Sequence, residues 1–125
     1  MKNICIYIVI SLIEYFIDII HYPCSSITGN LLLLIHHFVS IYILIGGFLF
    51  NNYYHLLFLI FIIIHWTTNN NKCKLTVITN KYCNYNENKY FNDFSNMINF
   101  KSKYQYLDWF ILFILIMYDI CKVRK

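Results

Sequence analysis

Glu14 and Asp18 stand one helical turn apart in an otherwise apolar stretch. They belong to a longer pattern. Asn3, Tyr7, Ser11, Glu14, Asp18 and His21 recur at spacings of 4, 4, 3, 4 and 3. On a helix this gathers the polar groups on one face and leaves Ile, Leu, Val and Phe on the rest. In lipid such a stripe turns toward other helices or a water-filled cavity, because hydrocarbon leaves its groups unsatisfied. Two chemistries fit. One is a path for protons or cations. The other is polar contact that holds helices together or binds a partner. The second is the simpler expectation, because nothing else in the chain marks a conduction path.

His36 and His37 are the side chains best placed to meet Glu14 or Asp18 in one intramembrane cluster. Facing histidines on neighbouring helices could hold a haem, and histidine with a carboxylate could hold a metal. No spacing here is specific to a ligand set, so a hydrogen-bonded structural role is expected and no cofactor is. His55 and His65 are separated by nearly a full helix and cannot share a site. His36, Ser40 and Gly47 share one side of their helix, a polar and small strip suited to close contact.

The cysteines number five. Cys73 and Cys83 share a polar loop without the C-x-x-C spacing of a zinc ribbon or a thioredoxin-like site. In an oxidising compartment a disulfide between them would close the loop. In the cytosol both would be thiols, and a thiol protein of the membrane surface is the corresponding activity. There is no G-x-S-x-G, no phosphate-binding glycine loop, no H-E-x-x-H and no N-x-S/T acceptor. The chain is therefore expected not to be an enzyme.

The elements that position these groups follow from composition. Of 125 residues, 59% are apolar and 13% charged, against about 45–50% and about 25% in soluble domains. A single soluble core of this length could not hide so much apolar surface. Aromatic and β-branched residues are too abundant for disorder. The expected fold is all-α: an integral membrane bundle of about four transmembrane helices at 4–20, 31–50, 53–68 and 104–121, forming one domain. The count falls to three if the first segment is not a span. A signal peptide is the alternative there, but Glu14 and Asp18 interrupt its apolar run and no small-x-small cleavage site follows. Leu31 to Phe50 is the clearest span, and Asn51–Asn52 makes a tight break before the third. The third and fourth are short, with Tyr53, Tyr54, Trp66, Tyr104, Tyr106 and Trp109 as interfacial anchors.

A polar loop over 69–103 joins the last two spans. Phe91, Phe94, Met97 and Ile98 place one apolar face about two turns long inside it. This reads as a short interfacial helix or, equally, a loop helix packed on the bundle. Lysine and arginine counts on the two sides do not decide orientation. No dense basic patch or aromatic–basic interleaving suits nucleic acid. The expected partners are the bilayer itself and a second copy or another membrane protein through helix one. Ile, Asn, Tyr, Phe and Lys dominate while Ala is absent, the mark of an A/T-rich genome.

One stretch carries a resemblance. His37-Phe38, Gly46-Gly47, His55, then Cys73, Leu75, Thr76 and Asn80 resemble an uncharacterised family of small bacterial multi-pass membrane proteins. That family has H-F, G-G, a later His, and C-P-L-T-x-x-E-N after a helix. Lys74 stands where the family has Pro and Thr79 where it has Glu. His65-Trp66, Asn69 to Asn71 and Cys73 are also similar to uncharacterised membrane proteins of large DNA viruses. The resemblance covers residues 31 to about 84. It implies a membrane protein of three or four helices, in a viral, host or organelle membrane, and no assigned activity.

Overall fold

The computed structural model describes residues 2–70, 73–85 and 107–124. These form five helices and no strand: α1 (Lys2–His21), α2 (Ile27–Leu49), α3 (Asn52–Thr68), α4 (Lys74–Tyr82) and α5 (Leu107–Val123). The starts of α2 and α3 are set by side-chain caps. Ser26 accepts from the Gly29 N–H and begins α2 earlier than its apolar run. Asn51 accepts from the Tyr53 N–H, and only Phe50 and Asn51 separate α2 from α3. The tight hairpin read from Asn51–Asn52 is therefore a capped helix start.

α2 packs against all four other helices. The Asn3 side chain at the start of α1 donates to the Leu49 carbonyl at the end of α2, so the two run antiparallel. α3 returns along α2, and α5 runs antiparallel to α3, its Trp109 meeting Trp66 edge-on near α3's end. The apolar core lies between α2, α3 and α5, around Ile43, Leu59, Ile62, Trp66, Leu112 and Leu115. The outer faces are also apolar: Ile20 of α1 is 77% exposed, Phe61 of α3 60% and Phe113 of α5 62%.

Two helices, α1 and α2, are long and apolar enough to cross a membrane. α3 and α5 have 17 residues each, about 26 Å at 1.5 Å per residue, and fall short of that length. α4 lies inside the stretch expected to be loop. The short helix expected at 91–98 lies outside the described residues.

α4 fills a step in the bundle. α3 is shorter than α2 and ends before α2's first turns. α4 continues upward beside them: Thr76 meets His36, and Cys83 lies against Gly29. The interval is seven residues on both helices, so α4 runs antiparallel along the first part of α2. The expected Cys73–Cys83 disulfide is corrected here. Cys83 is bridged to Cys24 in the α1–α2 loop, and Cys73 is a buried thiol in the core. Cys73 and Cys83 cap the two ends of α4. At 1.5 Å per residue that separates them by about 15 Å, beyond the roughly 7 Å between Cα atoms that a disulfide tolerates. Gly29 makes room for the bridge, because a Cβ there would sit 2.5 Å from Cys83 Sγ and 2.6 Å from Cys24 Sγ.

The pairing predicts a pattern on a non-reducing gel. Cys24→Ser and Cys83→Ser each abolish the oxidised species and lower stability by about 2–4 kcal/mol, whereas Cys73→Ser retains it. Loss of the bridge in Cys73→Ser with retention in Cys24→Ser would overturn the assignment.

Candidate functional site

Two buried Asp–His pairs occupy different heights of the bundle. The first joins α1 to α2. The middle of the α1 polar stripe faces α2: the Tyr7 hydroxyl donates to the Phe38 carbonyl at 2.6 Å, Ser11 is fully buried, and Asp18 Oδ2 lies 3.1 Å from His37 Nε2, whereas His21 is exposed, its Nδ1 2.8 Å from the Ile17 carbonyl of its own helix. His36, stacked against His37 at 6.1 Å between ring centroids, takes a different partner. Its Nε2 is 3.1 Å from Thr76 Oγ1 on α4 and its Nδ1 is 3.4 Å from Ser40 Oγ. The expected four-residue cluster is thus divided. Asp18 pairs with His37, and His36 serves α4. Glu14 is half-buried on α1 and makes no ion pair or hydrogen bond with the described residues.

The surroundings of Asp18 extend to the disulfide end of the bundle. Tyr85, just past Cys83, donates its hydroxyl to the Tyr22 carbonyl at 2.6 Å. Burial pushes the Tyr85 phenol above its usual value, and the nearby Asp18 carboxylate pushes it further the same way. The phenol therefore stays a donor, and it clamps the chain after α4 to the end of α1.

The second pair sits at the opposite end and joins three helices. His55 Nδ1 on α3 is 2.6 Å from Asp119 Oδ2 on α5. The His55 Nε2 hydrogen is shared between the Tyr42 and Ile43 carbonyls of α2, at 3.0 and 3.2 Å. Asn52 donates to Asp119 Oδ1 at 3.0 Å and to the Gly47 carbonyl at 2.8 Å. Because Nε2 faces carbonyls it must carry a proton, and one further proton lies between Nδ1 and the carboxylate. Wherever that second proton rests, the pair is neutral overall, the condition for keeping it in a dry interior.

Gly46 and Gly47 create the space. A Cβ on Gly46 would lie 2.6 Å from the His55 ring, and one on Gly47 would lie 2.5 Å from Asp119 Oδ1. Only three glycines occur in the chain. All three stand on α2 where another group must approach its backbone closely.

The motif residues therefore separate into two groups. Gly46, Gly47 and His55 form one packing unit. Cys73, Leu75 and Thr76 seat α4, with Cys73 in the core and Leu75 against it. The Asn80 carbonyl accepts from the Tyr85 N–H at 3.1 Å. Asp119 was not anticipated. An aspartate inside the apolar run from Leu107 to Cys121 is itself a signal, since an ionisable group there needs a buried partner. Asn52, read only as a break, is its second partner.

An open cleft of about 360 Å³ between the ends of α1, α2 and α3 is lined by Tyr7, Tyr42, Phe50, Asn51 and Tyr54, without a carboxylate, histidine or thiol. Among the described residues no three His, Cys, Asp or Glu side chains converge to hold a metal ion. The contacts of His55, Asp119 and Asn52 hold α2, α3 and α5 at fixed heights.

Asp119→Ala and His55→Ala should each destabilise the detergent-solubilised protein by about 3–5 kcal/mol, because each strands a buried partner. A double His55→Leu, Asp119→Leu variant should lose much less than the sum. Gly47→Ala should cost about 1–3 kcal/mol through overpacking. Thermal unfolding midpoints check these, and additive single effects would contradict the pairing. Comparison with known proteins returns no match to a family model, a curated protein or a solved structure.

Proposed function

We propose that the chain is a four-span integral membrane protein, with α1, α2, α3 and α5 as the spans, and that its role is non-enzymatic assembly or partner binding. The observation carrying this reading is the sense of its polarity. Asp119, His55, His37 and Ser11 are inside, each no more than 1% exposed, while Phe16 of α1 is 59% exposed and Phe110 of α5 61%. Lipid supports that arrangement and water does not. The short α3 and α5 fit a locally thin bilayer, and the exposed Tyr53 and Tyr54 at the start of α3 suit its interface.

The bridge between Cys24 and Cys83 supports an orientation with that end away from the reducing cytosol. Lys2, Lys122 and Arg124, at the other end, are then cytosolic. α1 buries Ser11 and Asp18 of its polar stripe and turns Ile4, Val9, Ile13 and Ile17 outward. Its contact with a second copy or another membrane protein would therefore be apolar.

The carrier and thiol readings find less support. A path between the two Asp–His pairs would cross the buried Ile41 and Ile43. Cys83 is bridged and Cys73 is in the core.

Thiol labelling in sealed membranes tests this reading. Cys83 should react with an impermeant reagent only from the non-cytosolic side and only after reduction. Cys121, exposed at the far end of α5, should react only from the cytosolic side. Labelling of both from one side, or release of the protein by alkaline carbonate, would refute the four-span reading.

A further inference from the structure

α4 has its polarity inverted for a helix on a water-soluble bundle. Thr76, Thr79 and Asn80 are the buried residues, packed toward α2. Lys74, Val77, Lys81 and Tyr82 are exposed, and Ile78 is half-exposed. These five positions follow i, i+3, i+4, i+7 and i+8, one continuous outward stripe. Its chemistry is mixed: Val77, Ile78 and the Tyr82 ring are apolar, and two lysines flank them.

The height of α4 is set by three contacts. The Lys74 N–H donates to His65 Nε2 at 3.1 Å, one turn before the end of α3. Thr76 meets His36 of α2. Cys83 lies beside Gly29, in the first turn of α2. α4 therefore lies beside the first third of α2, from the level where α3 stops to the level where α2 begins. If α2 crosses a bilayer, that interval is the boundary between hydrocarbon and headgroups on the non-cytosolic side.

We infer that α4 is a lipid-contacting helix: its stripe Lys74, Val77, Ile78, Lys81 and Tyr82 lies in the headgroup layer, with the two ammonium groups on phospholipid phosphates. This rests on the four-span reading. Three features select phospholipid as the occupant. Apolar residues face out at the depth of the acyl–headgroup boundary. Lysine stems snorkel, covering apolar surface while their charge reaches the phosphates. An aromatic ring with a polar tip favours the same layer. The polar inner face leaves no other surface of α4 for lipid. The same sense of inversion, polar inward and apolar outward, holds for α1.

The test places nitroxides at single cysteines in a chain carrying Cys5→Ser, Cys73→Ser and Cys121→Ser, with the native bridge kept. Labels go at Val77→Cys, at Ile13→Cys on the outward face of α1, and at Arg124→Cys as an aqueous reference. The protein is reconstituted in phosphatidylcholine–phosphatidylglycerol nanodiscs, and collision rates with oxygen and a water-soluble nickel chelate are compared. The oxygen-to-nickel ratio at position 77 should be several-fold above that at 124 and below that at 13. Lys74→Glu with Lys81→Glu should lower the ratio at 77 toward the aqueous value while the Cys24–Cys83 bridge and the ratio at 13 persist. A ratio at 77 equal to that at 124, with 13 still in lipid, overturns the inference alone. So does a label at 77 shielded from both reagents, which would mean that protein covers the stripe. An unchanged ratio in the double glutamate variant removes the phosphate contact. An aqueous ratio at position 13 refutes the four-span reading and this inference with it.

Discussion

His55 and Asp119 share a proton at the meeting point of three helices, and much of the architecture follows from keeping that contact dry. The imidazole reaches across from α3 to the Tyr42 and Ile43 carbonyls of α2, while the carboxylate comes from α5. Both groups are essentially unexposed, so the cost of desolvation must be met by complete hydrogen bonding. Asn52 supplies a remaining donor. α2 must present bare backbone there, hence glycine at 46 and 47. The short connection through Phe50 and Asn51 then fixes where α3 begins, because His55 must arrive at the height of those glycines.

The opposite end is organised differently. There the constraint is covalent, between Cys24 and Cys83, with Gly29 giving it room and the Tyr85–Tyr22 contact beside it. α4 is held by this bridge at one end and by the His65 contact at its other. Thr76 on His36 ties its middle to α2. One end of the bundle is thus closed by a polar network among three helices, and the other by a helix wedged into the step that the shorter α3 leaves. The outward surface between these ends is apolar, and Ser11 and Asp18 of α1 are turned inward. Two of these helices, α1 and α2, are long and apolar enough to cross a membrane.

Several of these features were legible in the residues themselves. The five-fold recurrence of polar groups from Asn3 to His21 fixed which face of α1 turns to α2, since side chains three and four apart share a face whatever lies opposite. The joining of Asp18 to His37 was within reach for the same reason. Other pairings were not. His36 and His37 are adjacent in sequence, so they point about 100° apart on a helix and meet different neighbours. Cys73 and Cys83 share a stretch that looks like loop, and only its folding into α4 drives them apart and brings Cys83 to Cys24. Propensity is a weak guide there, because Thr76, Thr79 and Asn80 are modest helix formers whose helix is secured by burial against α2.

By itself the sequence determined the class of molecule: helical, rich in apolar residues, with a polar break at Asn51–Asn52 and a one-sided first helix. Those properties are local, set by periodicity and by the hydrogen-bonding reach of a side chain to its own backbone. Tertiary structure decided which distant groups meet. Asp119 finds His55 from 64 positions away, and Cys24 finds Cys83 from 59. Separations of that size leave no periodic trace in a chain, because they depend on the heights at which helices of unequal length stop and on where three glycines let their neighbours approach.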